Sequence, residues 1–173
     1  MIKKEIDDII GDKPPTAADL NKLQITRSIL KETMRMWPVF PFIGREAVVD
    51  HIIGENTARP IKIPAGTNVI LHLYRMYRDP NLWENPDTFD PLRFMRNTEH
   101  RQRRHSYQFI PFGGGKRSCI GNHFALMEML VIICCIFQRF GFTFVSDQTV
   151  CPFISITMRA RYGVKVDAHI LNK

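Results

Sequence analysis

Apolar positions at Ile2, Ile6, Ile9 and Ile10 recur at helical spacing, and Gly11 supplies a stop. The chain opens on this helix without a cap or leader, so it is expected to be cut from a longer protein. Asp12 to Pro15 reads as a loop. Thr16 reads as an N-cap, with Asp19 three residues on. Leu20, Leu23, Ile29, Leu30, Met34 and Trp37 form a helical stripe over residues 19–37, closed by Pro38. Residues 42–73 change to short β-branched runs, at 47–53, 61–63 and 68–73. Gly54-Glu55-Asn56 separates the first two. Pro64-Ala65-Gly66 separates the others, as a turn with Pro second and Gly fourth. Residues 79–90 predict one short helix, and residues 95–105 a basic surface loop. Gly113-Gly114-Gly115 predicts a tight turn. Residues 120–140 predict a long helix, apolar on nearly every face, that must be buried on most sides, and the few strands cannot cover it, so it asks for helices this chain does not contain. Strands return over 142–167. No internal repeat or low-complexity segment is present.

Composition narrows the class. The 173 residues are 45% hydrophobic, which excludes a disordered tail. Four Cys, two of them adjacent at Cys134 and Cys135, exclude a disulfide scaffold. With 24 Lys+Arg against 17 Asp+Glu, the net charge of +7 points to an acidic partner or an anionic surface. Arg101, Arg103 and Arg104 could suggest nucleic acid, but no reader motif or aromatic platform accompanies them, so no nucleic-acid partner is expected. The longest apolar run, residues 129–137, has nine residues where a bilayer span needs about 20. No apolar segment of secretory type opens the chain.

The richest chemistry lies in Phe112-Gly113-Gly114-Gly115-Lys116-Arg117-Ser118-Cys119-Ile120-Gly121. Three glycines allow backbone conformations and approach distances that a Cβ forbids. A lone Cys follows, just before a long helix, where the helix dipole, backbone N–H groups and Arg117 favour the thiolate. Such a sulfur is a nucleophile or a metal ligand. No second Cys or His stands at zinc spacing, so a metal here needs its other ligands from elsewhere, as in a flat cofactor. On residues alone, an ordinary buried thiol in a glycine turn is the rival reading. A phosphate loop fails, because its first glycine would fall on Ile110 and Arg117 replaces the hydroxyl residue after Lys116.

Phe112, Gly115, Arg117, Cys119 and Gly121 stand in the register of the haem-binding signature of the cytochrome P-450 superfamily, which this stretch resembles. Two further motifs follow the family's order. Glu32-Thr33-Met34-Arg35 resembles its Glu-x-x-Arg. Phe89-Asp90-Pro91-Leu92-Arg93-Phe94 resembles its Pro-Glu-Arg-Phe element, with Leu92 in place of the Glu. Tyr77-Arg78-Asp79-Pro80 resembles His-Arg-Asp-Pro, with Tyr77 replacing the His.

The resemblance implies a fold that is mainly α with small β-sheets (α+β). The chain would be the carboxy-terminal, proximal-haem part of the cytochrome P-450 fold, incomplete as a domain over 1–173. Its parts would be the Glu-x-x-Arg helix 19–37, a β-rich segment 42–73, the Arg93 element and basic loop 89–105, the haem loop 112–121, the long helix 120–140 and terminal strands 142–167. Cys119 would be the proximal thiolate on the iron of haem b, raising electron density there. Phe112 would shield the ring, with Gly113, Gly115 and Gly121 beneath it and loop N–H groups on the sulfur. Arg117 would pair one propionate and Arg45 the other. Glu32, Arg35 and Arg93 would form a buried triad that locks the loop leading to the Cys.

Residues 35–45 look most like the animal family-four clan. Val39 to Gly44 and the turn near Cys151 to Ile154 would line the substrate pocket, with plain core packing as the even alternative. The function implied is O2-dependent hydroxylation of an apolar lipid, hormone or xenobiotic. Electrons would come from NADPH through a flavoprotein reductase, or from a cytochrome b-type donor. Either would dock on a basic proximal face near Arg96, Arg101, Arg103, Arg104 and Lys116. The location implied is the cytosolic face of the endoplasmic reticulum membrane, through an amino-terminal anchor outside this chain. The family's distal acid–alcohol pattern has no match: Ala17-Ala18-Asp19-Leu20 carries neither its Gly nor its Thr. The alternative is therefore a non-catalytic haem-binding remnant or partial gene model, and the isolated chain is expected to be inactive.

Overall fold

The structure is a computed structural model, and it describes residues 1–95 and 104–171. Helix α1, Ile2–Ile9, buries Ile6 and stops at Gly11, whose φ of 65° suits glycine. The single helix expected over 19–37 is two. A short α2, Ala17–Leu20, starts on a capping box between Thr16 and Asp19. A break over 21–23 precedes α3, Gln24–Met36. The break has a long-range cause. The buried Glu5 carboxylate of α1 accepts from Ile25 N at 2.7 Å, Thr26 N at 2.8 Å and Thr26 Oγ1 at 2.7 Å. It caps α3 from another helix, so the chain need not run on helically from α2.

Among the described residues, four two-stranded antiparallel sheets follow. Strand β1, Phe42–Glu46, pairs β4, Asn68–His72, with Phe42 opposite His72. Strand β2, His51–Ile53, pairs β3, Ile61–Ile63. The run expected at 47–53 is thus strand only in its last part, because the pairing partner of β4 lies earlier, at Phe42–Glu46. The turn before β4 is shifted by one residue. Thr67 N donates to Pro64 O at 3.2 Å, which puts Gly66, φ 80°, third, where a positive φ is needed.

A short helix α4, Leu73–Met76, ends in a tract over 79–90 that is not the expected helix but a series of turns. Its carbonyls are claimed sideways. Those of Glu84, Asn85, Pro86 and Thr88 turn toward two buried guanidinium groups and accept from them, which favours turns over a regular helical ladder. Single turns of 3₁₀ helix stand at Pro91–Phe94, Ser106–Gln108 and Gly115–Arg117.

The long apolar helix is α5, Asn122–Phe137, shorter at both ends than 120–140. Phe140 already opens strand β5, Phe140–Phe144, opposite Ile170 of β8, Val166–Ile170. Strands β6, Pro152–Ile154, and β7, Met158–Ala160, form the last hairpin. The strands therefore span 140–170 rather than 142–167.

Two cores hold the molecule. Ile6, Ile10, Leu20, Leu23, Leu30, Leu130 and Cys134 join the helices. Leu73, Tyr77, Trp83 and Phe94 join α4 to the segments around it. Within this chain α5 is left partly uncovered, as expected of a helix whose covering helices the chain does not contain. Leu130 and Cys134, one turn apart, are buried, while Phe124 is 68% exposed, with Met127, Ile132 and Ile136 also exposed. Among the described residues no helix is long and apolar enough to cross a membrane. An apolar face of this kind drives association. The 173-residue chain alone is expected to sediment as oligomers or aggregates at micromolar concentration. A monodisperse monomer with a sharp cooperative melt would contradict this.

Candidate functional site

Helix α3 places Glu32 and Arg35 one turn apart on its buried face. Arg35 Nε donates to Glu32 Oε2 and Arg35 Nη2 to Glu32 Oε1, both at 2.8 Å. The same Oε1 accepts from Arg93 Nε at 3.1 Å and from Asp90 N at 2.8 Å. Two guanidinium groups thus share one carboxylate. The surplus positive charge meets carbonyl dipoles instead. Arg35 also donates to Tyr77 O, Pro86 O and Thr88 O, so all five of its donors are used. Arg93 donates to the carbonyls of Glu84, Asn85 and Thr88.

Burial would raise the Glu32 carboxyl pKa. Together the hydrogen bond from Arg35, the Asp90 N–H, the Arg35 charge and the Arg93 bond outweigh it and hold the pKa below its ordinary value.

Arg104 stacks outside this cluster. Its Cζ lies 4.3 Å from the Phe94 ring centroid and 4.8 Å from that of Trp83, and Nη2 donates to Arg93 O at 2.6 Å. The residue expected on a solvent-facing docking surface is therefore turned onto an aromatic bed. Arg96, Arg101 and Arg103 lie outside the described residues. Lys116 is exposed.

The loop bearing Cys119 is closed by its own backbone. Gly113 N donates to Ile110 O at 2.9 Å, Ser118 N to Gly115 O at 3.1 Å, and Cys119 N to Phe112 O at 2.9 Å. Gly113 and Gly115 have φ of 76° and 71°, which a Cβ would strain. Cys119 is exposed rather than buried, against the rival reading of a buried structural thiol. It opens two residues before the N-cap Gly121 of α5, which no side chain caps. A Cβ at Gly121 would stand 3.8 Å from Cys119 Sγ.

Around the sulfur, Ile120 is fully exposed and Phe124 largely so, Phe112 is half-buried, and Arg117 and Lys116 are exposed. An open thiol in a stretch that also exposes apolar Ile120 and cationic Lys116 and Arg117 fits a flat apolar ring with an acidic edge. Arg45 is exposed on β1 and donates to Gly44 O at 2.7 Å. It shares a strand face with Ile43, whose Cδ1 would touch a Cβ at Gly113 at 3.9 Å, so β1 flanks the loop. Among the described residues no cluster of three or more His, Cys, Asp or Glu could hold a metal ion.

The hairpin that carries Cys151 to Ile154 docks on the other expected wall through the strand paired with it, where Met158 stands opposite Ile154. Met158 N of β7 donates to Val39 O at 2.7 Å. Val39, Phe40 and Phe42 are exposed, and Cys151 and Pro152 line a cavity of about 220 Å³ with Trp37 and Met158.

Sequence reasoning missed the Glu5 cap, the inward turn of Arg104 and the use made of Tyr77. Tyr77 is fully buried, and its hydroxyl oxygen accepts from Ile110 N at 2.9 Å. The substitution of Tyr for the motif's His was the one available signal.

The sequence profile of the family described as Cytochrome P450 matches residues 1–163. Cytochrome P450 132 of Mycobacterium tuberculosis is 40% identical over 162 residues, covering 94% of this chain and 33% of that protein. Human cytochrome P450 4V2, an animal family-four protein, is 37% identical over 142 residues, covering 80% of this chain and 26% of that protein. The cytochrome P450DA haem domain superposes with a TM-score of 0.86 at 30% identity, over 99% of this chain and 37% of that one. The retinoic acid-bound cyanobacterial CYP120A1 gives 0.87 at 26% identity, over 98% of this chain and 38% of that one. The chain spans 26% to 38% of the length of these proteins. With a family profile over nearly its whole length and solved relatives of the same fold, the chain belongs to the cytochrome P450 family.

Proposed function

We propose that this chain is the cysteine-bearing part of a haem-thiolate monooxygenase, with Cys119 as the proximal ligand. The observation that carries the reading is the exposed Cys119 thiol at the exit of a closed glycine loop, between apolar Ile120 and cationic Arg117. When bound, haem b supplies the activation of O2 and the insertion of one oxygen atom into an apolar substrate. Cys119 would bind the iron through its thiolate. Arg117 and Arg45 would neutralise the propionates, and Phe112 would shield the sulfur side of the group. Gly113, Gly115 and Gly121 keep side chains out of the space the ring takes. The Glu32–Arg35–Arg93 cluster fixes the segments on which the loop rests, and Val39 to Gly44 with Cys151 to Ile154 border the substrate.

Electrons come from an NADPH-dependent flavoprotein reductase or a cytochrome b-type donor. Lys116 is the described cation best placed to meet it, with Arg96, Arg101 and Arg103 as further candidates. Arg104 is left to the aromatic bed. Membrane attachment on the cytosolic face of the endoplasmic reticulum follows the animal relatives, through a segment outside this chain.

The test uses the full-length holoprotein that carries this segment. Its reduced carbonyl complex is expected to show the red-shifted band of thiolate-ligated haem. With reductase and NADPH, a medium-chain fatty acid is expected to accelerate O2 consumption and gain one hydroxyl group. A carbonyl band at the position of imidazole-ligated haem would overturn the ligand assignment. Intact ligation without hydroxylation of any of a panel of apolar substrates would overturn the activity.

A further inference from the structure

The loop from His105 to Gly121 carries the candidate ligand, yet much of its internal bonding is local. Among the described residues two hydrogen bonds leave it for earlier segments, Gln108 Nε2 to the carbonyl of exposed Leu82 and Ile110 N–H to buried Tyr77, while Phe109 and Ile110 pack on the same core. Ile110 N–H donates to the Tyr77 hydroxyl at 2.9 Å, 33 residues away. The carbonyl of the same residue then accepts from Gly113 N–H, closing the next turn of the loop. Cys119 N–H then closes on Phe112 O. Tyr77 faces the other way as well, for its carbonyl accepts from Arg35 Nη1 at 2.7 Å. A single residue therefore joins the Glu32–Arg35–Arg93 cluster, through its backbone, to the sulfur-bearing loop, through its side chain.

The phenol is held rather than free. Tyr77 is fully buried, its ring edge-on to Trp83 at 6.2 Å and tilted against Phe109 at 5.6 Å. Burial drives its pKa far upward against a smaller opposing effect of the Ile110 bond, so the hydroxyl stays neutral at working pH. Histidine, the residue of the motif that this stretch resembles, has a shorter side chain. The reach to Ile110 N–H belongs to tyrosine.

We propose that Tyr77 is a positioning residue that fixes the Cys119 loop to the buried Glu32–Arg35–Arg93 cluster and thereby holds the sulfur in place for its ligand. The inference rests on the reading of Cys119 as the haem ligand. Removing the hydroxyl leaves the Ile110 N–H without its acceptor while the ring still fills its bed. The loop should then let go of its ligand more readily without loss of the surrounding fold.

The experiment compares wild type, Tyr77→Phe, Trp83→Phe and Cys119→Ala in the full-length holoprotein. Haem content, urea midpoint and the rate at which the red-shifted carbonyl band converts to the blue-shifted, thiolate-free form are measured. Tyr77→Phe is expected to hold haem at wild-type levels and to convert about tenfold faster. Trp83→Phe perturbs the same aromatic cluster without touching Ile110 N–H, so at matched urea midpoint it is expected to convert at the wild-type rate. Equal conversion rates in Tyr77→Phe and wild type would overturn the proposal. So would acceleration in both aromatic variants in proportion to lost stability, since that is packing alone. Should Tyr77→Phe hold no haem, Tyr77→His, which keeps a polar ring in the same bed, takes its place under the same outcomes. Retention of the red-shifted band by Cys119→Ala would instead sink the ligand reading, and is distinguishable because it is read in a separate protein.

Discussion

Replacing Cys119 with alanine in the full-length holoprotein is expected to abolish the red-shifted ferrous–carbonyl band completely, while alanine at Cys134, Cys135 or Cys151 keeps it. The four thiols differ in what surrounds them. Cys134 is fully buried between the helices, and burial first, with Cys135 and Glu5 adding to it, pushes its thiol up to about 11. It is a protonated packing residue at neutral pH. Cys135 is exposed, but it lies near the far end of α5, about four turns from the glycine loop. Cys151 is half-buried against Trp37 and Met158 in the terminal hairpin. Cys119 alone stands at a loop exit with two positive-φ glycines before it and an uncapped helix after it. Loss of the band in another variant with its persistence in Cys119→Ala would name a different sulfur. Cys134→Ala is expected to lower the unfolding midpoint modestly, since it removes a buried sulfur from the helical core.

The contrast between what was readable and what was not follows the range of the interactions. Glu32 and Arg35 are three residues apart, so their pairing on one helix face follows from helical geometry alone. The stop at Gly11, the capping box at Thr16 and the apolar helix around Leu130 are equally local. Arg93 was tied to Glu32 by resemblance to a family, for nothing in residues 33–92 announces a contact across that distance. Errors arose where a remote group decides local structure. Over residues 79–90, Arg35 and Arg93 draw carbonyls inward, which favours turns over a helix. The break before α3 exists because Glu5 reaches its first N–H groups from 20 residues back. A charge run also misleads, as Arg104 shows. An Arg can lay its flat guanidinium on Trp83 and Phe94 and still satisfy a donor on a buried carbonyl.

The buried triad predicts the other large effect. Arg35→Lys and Glu32→Gln in the full-length protein are each expected to abolish stable haem incorporation. Both side chains of the Arg35–Glu32 pair have 0% exposure, so neither ion can recover water when its partner is lost. Removing one member of such a pair costs about 3–5 kcal/mol, against a total stability of about 5–15 kcal/mol for a domain. Lysine keeps the charge but brings three donors to a site that uses five. The bidentate bond to Glu32 and the carbonyls of Tyr77, Pro86 and Thr88 cannot all be kept. Glutamine keeps the shape but leaves Arg35 and Arg93 facing each other with no counter-charge.

The lowered Glu32 pKa adds a pH signature. A carboxyl depressed on folding contributes stability in full above its unfolded value, near 4.5, and loses it as pH falls through the lower folded value. The wild-type urea midpoint should therefore drop steeply below about pH 4.5. Glu32→Gln, where enough of it folds to be measured, should lack that part of the acid slope while starting from a much lower midpoint. An Arg35→Lys protein that retains wild-type haem content, or a Glu32→Gln protein whose acid slope matches wild type, would show that the cluster does not hold the site together.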